Sequence, residues 1–142
     1  TILRTPSVSV DLDESREVVA KMSEKLDRLV GLASNQINQS GRIIALRRMN
    51  GDYQFMIDPV LYPVRDSIRP VDFEGCGSIP GLIVSVERYR RVGVSYTTID
   101  GAHNVEVLCD LEARIAQHEA DHLNGFLITD RAEPNSVRWK QF

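Results

Sequence analysis

His118-Glu119-Ala120-Asp121-His122 lies within the run from Leu111 to Leu123, and Asn124-Gly125 follows directly. The run ends on a dipeptide suited to a left-handed cap, so a helix is expected from about Leu111 to Leu123. Residues four apart share one helix face, and the two imidazoles can therefore converge on one divalent ion. Neutral imidazole nitrogen binds zinc or ferrous iron well, and Glu119 beside them can accept a proton from a water that the ion polarises. That is the layout of metal-assisted hydrolysis. The competing reading is a charged surface helix with coincidental histidines; three specified residues at fixed spacing in a 142-residue chain weigh against it. Two histidines still leave such a site one ligand short.

Outward from this helix the chain reads mostly as strands. Arg42 to Leu46 and Gln54 to Ile57 flank Asn50-Gly51-Asp52, a hairpin turn, and should pair antiparallel. Short β stretches are expected near Leu61, from Val71 to Phe73 and from Ile83 to Glu87. The sheet continues through Arg91 to Thr97, turns at Asp100-Gly101 and resumes from Val105 to Leu108. Near the start, Asp11-Leu12-Asp13-Glu14 offers capping oxygens and early acidic charge. Val18, Val19, Met22, Leu26, Leu29 and Val30 then recur at helical spacing, which predicts a first long helix through about Leu29. Gly31 stops it, and Leu32 to Ser40 reads as a working loop. The expected fold is α+β, with an N-terminal helix, antiparallel-rich sheets and a late metal-binding helix packed on the sheet. Residues 1–142 read as a single catalytic domain, of which 131–142 form a short polar tail.

Composition narrows the functional classes. With 42% hydrophobic and 26% charged residues the chain is ordinary for a globular protein, and it contains no apolar run long enough to cross a bilayer. A net charge of −3 and a pI near 5.6 give no electrostatic footprint for nucleic acid or an anionic membrane, so neither is expected as a direct partner. Arg88, Arg90 and Arg91 form only a local basic cluster. Thr1-Ile2-Leu3-Arg4 has no signal or transit pattern, which leads to the expectation of a cytoplasmic enzyme. Two cysteines, Cys76 and Cys109, make no disulfide framework and suit a reducing compartment.

The missing ligand has three candidates. Glu133 falls in the polar tail and His103 beside a hairpin turn, where solvated side chains are the rule. Cys76 stands in Glu74-Gly75-Cys76-Gly77-Ser78, whose glycines permit close backbone approach, and a thiolate is a soft ligand for zinc or iron. A lone cysteine is ordinarily a small buried hydrophobe; the glycine frame favours the ligand.

These residues carry a family resemblance. Gly31-Leu32-Ala33-Ser34-Asn35-Gln36, then Glu74-Gly75-Cys76-Gly77-Ser78, then Gln117-His118-Glu119-Ala120-Asp121-His122-Leu123-Asn124-Gly125 resemble, in order, the three signature segments of the peptide deformylases. The likeness extends from about Leu3 to about Asp130, including Pro80-Gly81 and Val86-Glu87-Arg88-Tyr89. It implies a metal-dependent hydrolase that removes the N-formyl group from formylmethionine on newly made polypeptides, releasing formate. Carried over, Cys76, His118 and His122 hold one divalent metal per chain, leaving one position open for water. Glu119 serves as base and then acid, while the Gln36 amide and the Gly77 backbone N–H stabilise the oxyanion. Asp121 suits a supporting role behind the histidines, and the resemblance pairs it with Arg88; Glu74 reads as a hydrogen-bond acceptor that fixes its loop. Gly31, Leu32, Leu111 and Ile115 are the candidates for the methionine pocket by motif proximity and helical spacing. Family precedent favours Fe2+ in cells, with Zn2+, Ni2+ or Co2+ accommodated in isolated protein. N-formylmethionyl peptides are the implied partners, in the cytoplasm of a bacterial or virus-infected bacterial cell or in an organelle.

The chain departs from the family pattern at four places. Leu29 stands where another glycine is common, Ser34 replaces an alanine near the expected substrate path, and Gly77 replaces a larger residue. The C-terminal extension is short, so ribosome docking is not carried over. Two rival readings stay open: a zinc endopeptidase built on the same helix, and a binder that holds formylated N-termini without turnover.

Overall fold

The computed structural model describes residues 2–65, 67–76 and 78–139. Helix α1 (Leu12–Ser23) starts at Asp11, whose carboxylate accepts the Glu14 N–H at 2.8 Å, and Asp13 and Glu14 place negative charge on its first turn. It ends at Ser23, short of the expected Leu29. Successive turns replace the helix there, with Lys25 N–H donating to Met22 O, Leu29 N–H donating to Leu26 O, and Asp27 at φ +39. Leu26 still points into the core, whereas Leu29 and Val30 are exposed, so the apolar spacing outran the helix.

Then come β1 (Gly31–Ala33), β2 (Ile43–Arg47), β3 (Tyr53–Pro63), β4 (Val71–Cys76), β5 (Ile79–Glu87), β6 (Arg91–Thr97) and β7 (His103–Cys109). Helices α2 (Asp110–Leu123) and α3 (Ile128–Arg131) and strand β8 (Arg138–Trp139) follow. Five strands form an antiparallel sheet in the order β1-β2-β3-β6-β7, and a smaller sheet has the order β4-β5-β8. The architecture is the expected α+β. The segment Leu32 to Ser40 is a strand end plus a 3-10 turn, Ser34–Ile37. Gln54 to Ile57 and the stretch near Leu61 belong to one strand, β3. Its pairing with β6 shifts register between Ile57 and Val60, where Asp58 adopts φ +51.

Residues 43 to 46 are apolar without a break because both faces of the large sheet are covered. Ile44, Leu46, Met56, Val94 and Tyr96 pack against Ala113, Ile115, Ala116 and Leu123 of α2. Ile43, Ala45 and Ile57 pack on the other face against Val18, Val19 and Met22 of α1. The small sheet has its own cluster, in which Leu82, Val84 and Val86 meet Ile128 of α3. Where a polar tail was expected from Arg131 onward, Ala132 bridges Val86, the Glu133 N–H donates to Ser85 O at 2.7 Å, and Arg138–Trp139 pairs with Leu82 and Ile83. The end of α2 needs glycine: Gly125 has φ +83, and a Cβ there would stand 2.7 Å from Arg4 O.

Candidate metal centre

Helix α2 carries His118, Glu119 and His122, and the two imidazole rings lie 5.2 Å apart at 64°. The third group comes from the other sheet. Cys76 ends β4, where register slips between Gly75 and Cys76, and this turns its Sγ towards α2, 3.1 Å from His122 Nε2. The donor atoms of Cys76, His118 and His122 all lie within 4.8 Å of one another. His103 and Glu133 join no such cluster among the described residues.

The charges around these atoms suit a cation. Burial pushes the Cys76 thiol up, but hydrogen bonds with His118 and His122 outweigh it and bring the group down to about 5, so it is a thiolate at neutral pH. Burial opposes charge on His118, but its contacts with Cys76 and Glu74 outweigh that and hold it at about 10. In the metal-free protein the thiolate and Glu74 thus draw a proton onto His118, which a metal ion displaces when the imidazole becomes a ligand. Soft thiolate with two imidazoles is a donor set that fits zinc or ferrous iron.

Glu119 is 5% exposed, and its Oε1 has no hydrogen-bond partner among the described residues. Burial raises its carboxyl to about 7 against the opposing pull of His118 and His122, so a proton can be gained or lost near neutral pH. Gly31 explains how β1 approaches so closely: a Cβ there would stand 2.6 Å from both Glu119 Oε2 and Ile115 Cγ2. Gln36 enters from the 3-10 turn. Its Oε1 accepts the Ala33 N–H at 2.8 Å, which aims Nε2 at the site, 3.6 Å from Cys76 Sγ and 3.2 Å from Ser78 Oγ. Gly77, expected to supply the second oxyanion donor, lies outside the described residues.

Behind the histidines sits a network of buried charges. Glu74 accepts Arg88 through both oxygens, at 3.0 and 2.9 Å, and its Oε1 lies 2.9 Å from His118 Nδ1. Burial would raise its carboxyl, yet the bonds from His118 and Arg88 hold it at about 2. Arg88 also pairs with Asp121, which accepts Arg131 at 3.1 Å as well. Two members of this layer escaped the sequence reading. Arg114 donates to Glu74 Oε2 at 2.6 Å, and Gln117 joins the Tyr89 backbone through both ends of its amide. Their helical register, one turn before His118 and one residue before it, was the available signal.

A cavity of about 470 Å³ opens over Cys76, His118 and Glu119. Gly31, Leu32, Leu111 and Ile115 line it as expected, joined by Leu29, Val30 and Phe73. Ser34, expected near the substrate path, is instead fully buried; its Oγ donates to Gly41 O at 3.0 Å and it stays off the cavity wall. A second cavity of about 360 Å³ lies beyond Gln117 and Asp121, away from the thiolate and Glu119.

Comparison with known proteins points the same way. The family described as polypeptide deformylase matches residues 1–138. A peptide deformylase of Dictyoglomus thermophilum is 35% identical over 99% of this chain and 92% of its own. Among solved structures, the peptide deformylase of Thermotoga maritima superposes with a TM-score of 0.85 at 34% identity, covering 94% of this chain and 92% of that one. The peptide deformylase of Synechococcus elongatus in complex with actinonin gives 0.86 at 33%, covering 94% and 75%.

Proposed function

The chain belongs to the peptide deformylase family, metal-dependent hydrolases that remove the N-formyl group of newly made polypeptides, and on that premise we propose how its residues divide the work. Cys76, His118 and His122 hold one divalent ion; the observation that carries this assignment is the convergence of their donor atoms within 4.8 Å beside the orphaned Glu119 oxygen. The ion, when bound, polarises the formyl carbonyl and makes water a stronger nucleophile.

The remaining chemistry falls to the protein. Glu119 takes the proton of the attacking water on its carboxylate and returns it to the departing amine, a role supported by a pKa poised near 7. Gln36 Nε2 donates to the carbonyl oxygen as it gains charge, held ready by the Ala33 N–H on the amide's other end. The Gly77 N–H is assigned as the second donor by its place in the signature segment. The apolar wall of Leu32, Leu111 and Ile115 receives a linear methionine side chain, and N-formylmethionyl peptides are accordingly the substrates. Arg88 and Asp121 hold the histidine helix against β4 through Glu74.

Ferrous iron is the ion in cells, with zinc, nickel or cobalt accepted by the same donors. Residues 1–142 form a single catalytic domain acting where formylated chains are made, in bacterial cytoplasm or an organelle. The test is Glu119→Gln: formate release should fall by about 10²- to 10⁴-fold with metal content unchanged. Turnover close to the parent protein would remove Glu119 from this role.

A further inference from the structure

Arg114 is a nearly buried cation to which the mechanism above assigns no part; its side chain is 12% exposed. It sits on α2 one turn before His118, on the same face, yet its three acceptors belong to the small sheet and its approach. Nη1 donates to Glu74 Oε2 at 2.6 Å and to Val86 O at 3.0 Å, and Nη2 donates to Pro70 O at 2.8 Å. Glu74 lies two residues before Cys76 on β4, and its other oxygen faces His118 Nδ1. One carboxylate is thereby joined to α2 twice, through Arg114 at Oε2 and through His118 at Oε1.

This matters because the ligand set is split. Two candidate ligands ride on α2, which packs on the large sheet, while Cys76 rides on β4 of the other sheet. Whatever bridges α2 to β4 sets the distance between thiolate and imidazoles. Arg88 reaches Glu74 from the β5–β6 connection and, among the described residues, its bond to α2 is to Asp121. Arg114 makes the link directly: its side chain reaches the wall of the cavity over Cys76, and three acceptors of the fold hold it in place.

We propose that Arg114 is a positioning residue that holds Cys76 at ligand distance from the two histidines and fixes the His118 ring by anchoring Glu74. The proposal rests on the ligand assignment above. Arg114→Met keeps the aliphatic stem and removes the donors. Cobalt(II) is the probe, because its bond to a thiolate gives a near-ultraviolet charge-transfer band whether or not turnover occurs. The control is Arg48→Met, which removes a guanidinium that ties the first turn of α2 to β7, not to β4, through Glu112 and Glu106 at 2.9 and 2.7 Å.

Arg114→Met should weaken cobalt binding, measured by chelator competition, about 10- to 100-fold and diminish the thiolate band at saturation. Arg48→Met should leave both unchanged even where its thermal midpoint falls as far. Arg114→Lys, which keeps the charge but cannot reach three acceptors, should lie between, and it serves if the methionine variant folds poorly. Unchanged affinity and band in both Arg114 variants, or equal losses in Arg48→Met, would reduce Arg114 to a stability residue and overturn the proposal. Absence of the thiolate band in the parent protein would instead overturn the ligand assignment and the proposal with it.

Discussion

Gly31→Ala isolates the proton-carrying part of the site from its metal-binding part. The added methyl would stand 2.6 Å from Glu119 Oε2 and 2.6 Å from Ile115 Cγ2, where ordinary contact begins at 3.4 Å, so about 0.8 Å must open between β1 and α2. Gly31 is not among the residues at positive φ, so alanine meets no backbone penalty and the effect is purely steric. The Ile115 contact is Cγ2, a branch next to its backbone in the packed core, whereas the Glu119 contact is Oε2, the far end of a longer side chain, which leaves Glu119 to swing away. Overpacking of this kind costs about 1–3 kcal/mol, a fall of about 3–10 °C in Tm for a chain of this size. A misplacement near 1 Å in a reacting group costs about 100-fold in rate. The three atoms nearest the new methyl belong to Glu119 and Ile115, and none to Cys76, His118 or His122. The variant should therefore lose about 100-fold in kcat for formate release while binding a full complement of metal. A Gly31→Ala protein with kcat within about threefold of the parent would refute the steric reasoning and, with it, the claim that β1 sets the position of Glu119.

Two further predictions follow from the same geometry. Gln36→Ala should lower kcat about 100- to 1,000-fold with little change in KM, because its amide is aimed to meet charge that develops during reaction; steady-state kinetics decide, and a change in KM alone would count against an oxyanion role. Glu74 predicts a pH dependence of stability. Its carboxyl lies at about 2 in the folded protein against an ordinary 4.5, so its stabilisation is complete above about pH 4.5 and is lost as pH falls towards 2. Urea unfolding of the metal-free protein should accordingly show the stability gap between parent and Glu74→Gln narrowing below about pH 4.5, and a gap independent of pH would contradict the ion-pair network.

The sequence disclosed most clearly what depends on local spacing. The histidine helix, the Asn50-Gly51 hairpin and the strand from Arg91 to Thr97 were all legible because period and turn chemistry act over a few residues. The first helix was read too long because Leu26 keeps an apolar position in a turn, where Asp27 adopts φ +39. Strand β3 was read as two pieces because the bulge around Asp58 breaks its alternation. Long-range contacts were the harder part. Nothing in the local pattern singles out Arg114 until Glu74, Val86 and Pro70 are folded onto it, and Ser34, expected near the substrate path, is turned inward by its hydrogen bond to Gly41 O. Gln36 and Cys76 were reached through their signature segments, since no local period marks a loop amide or a lone thiol as facing a helix far along the chain.

The most direct test of the account is formate release from a formyl-Met-Ala-Ser peptide by protein loaded anaerobically with ferrous iron, run beside Cys76→Ala with metal content measured in both. The account predicts rapid release by the parent and, in the variant, loss of both release and tightly held metal, because the thiolate within 4.8 Å of the two imidazoles is the third ligand. Full metal binding and undiminished release in Cys76→Ala would contradict it.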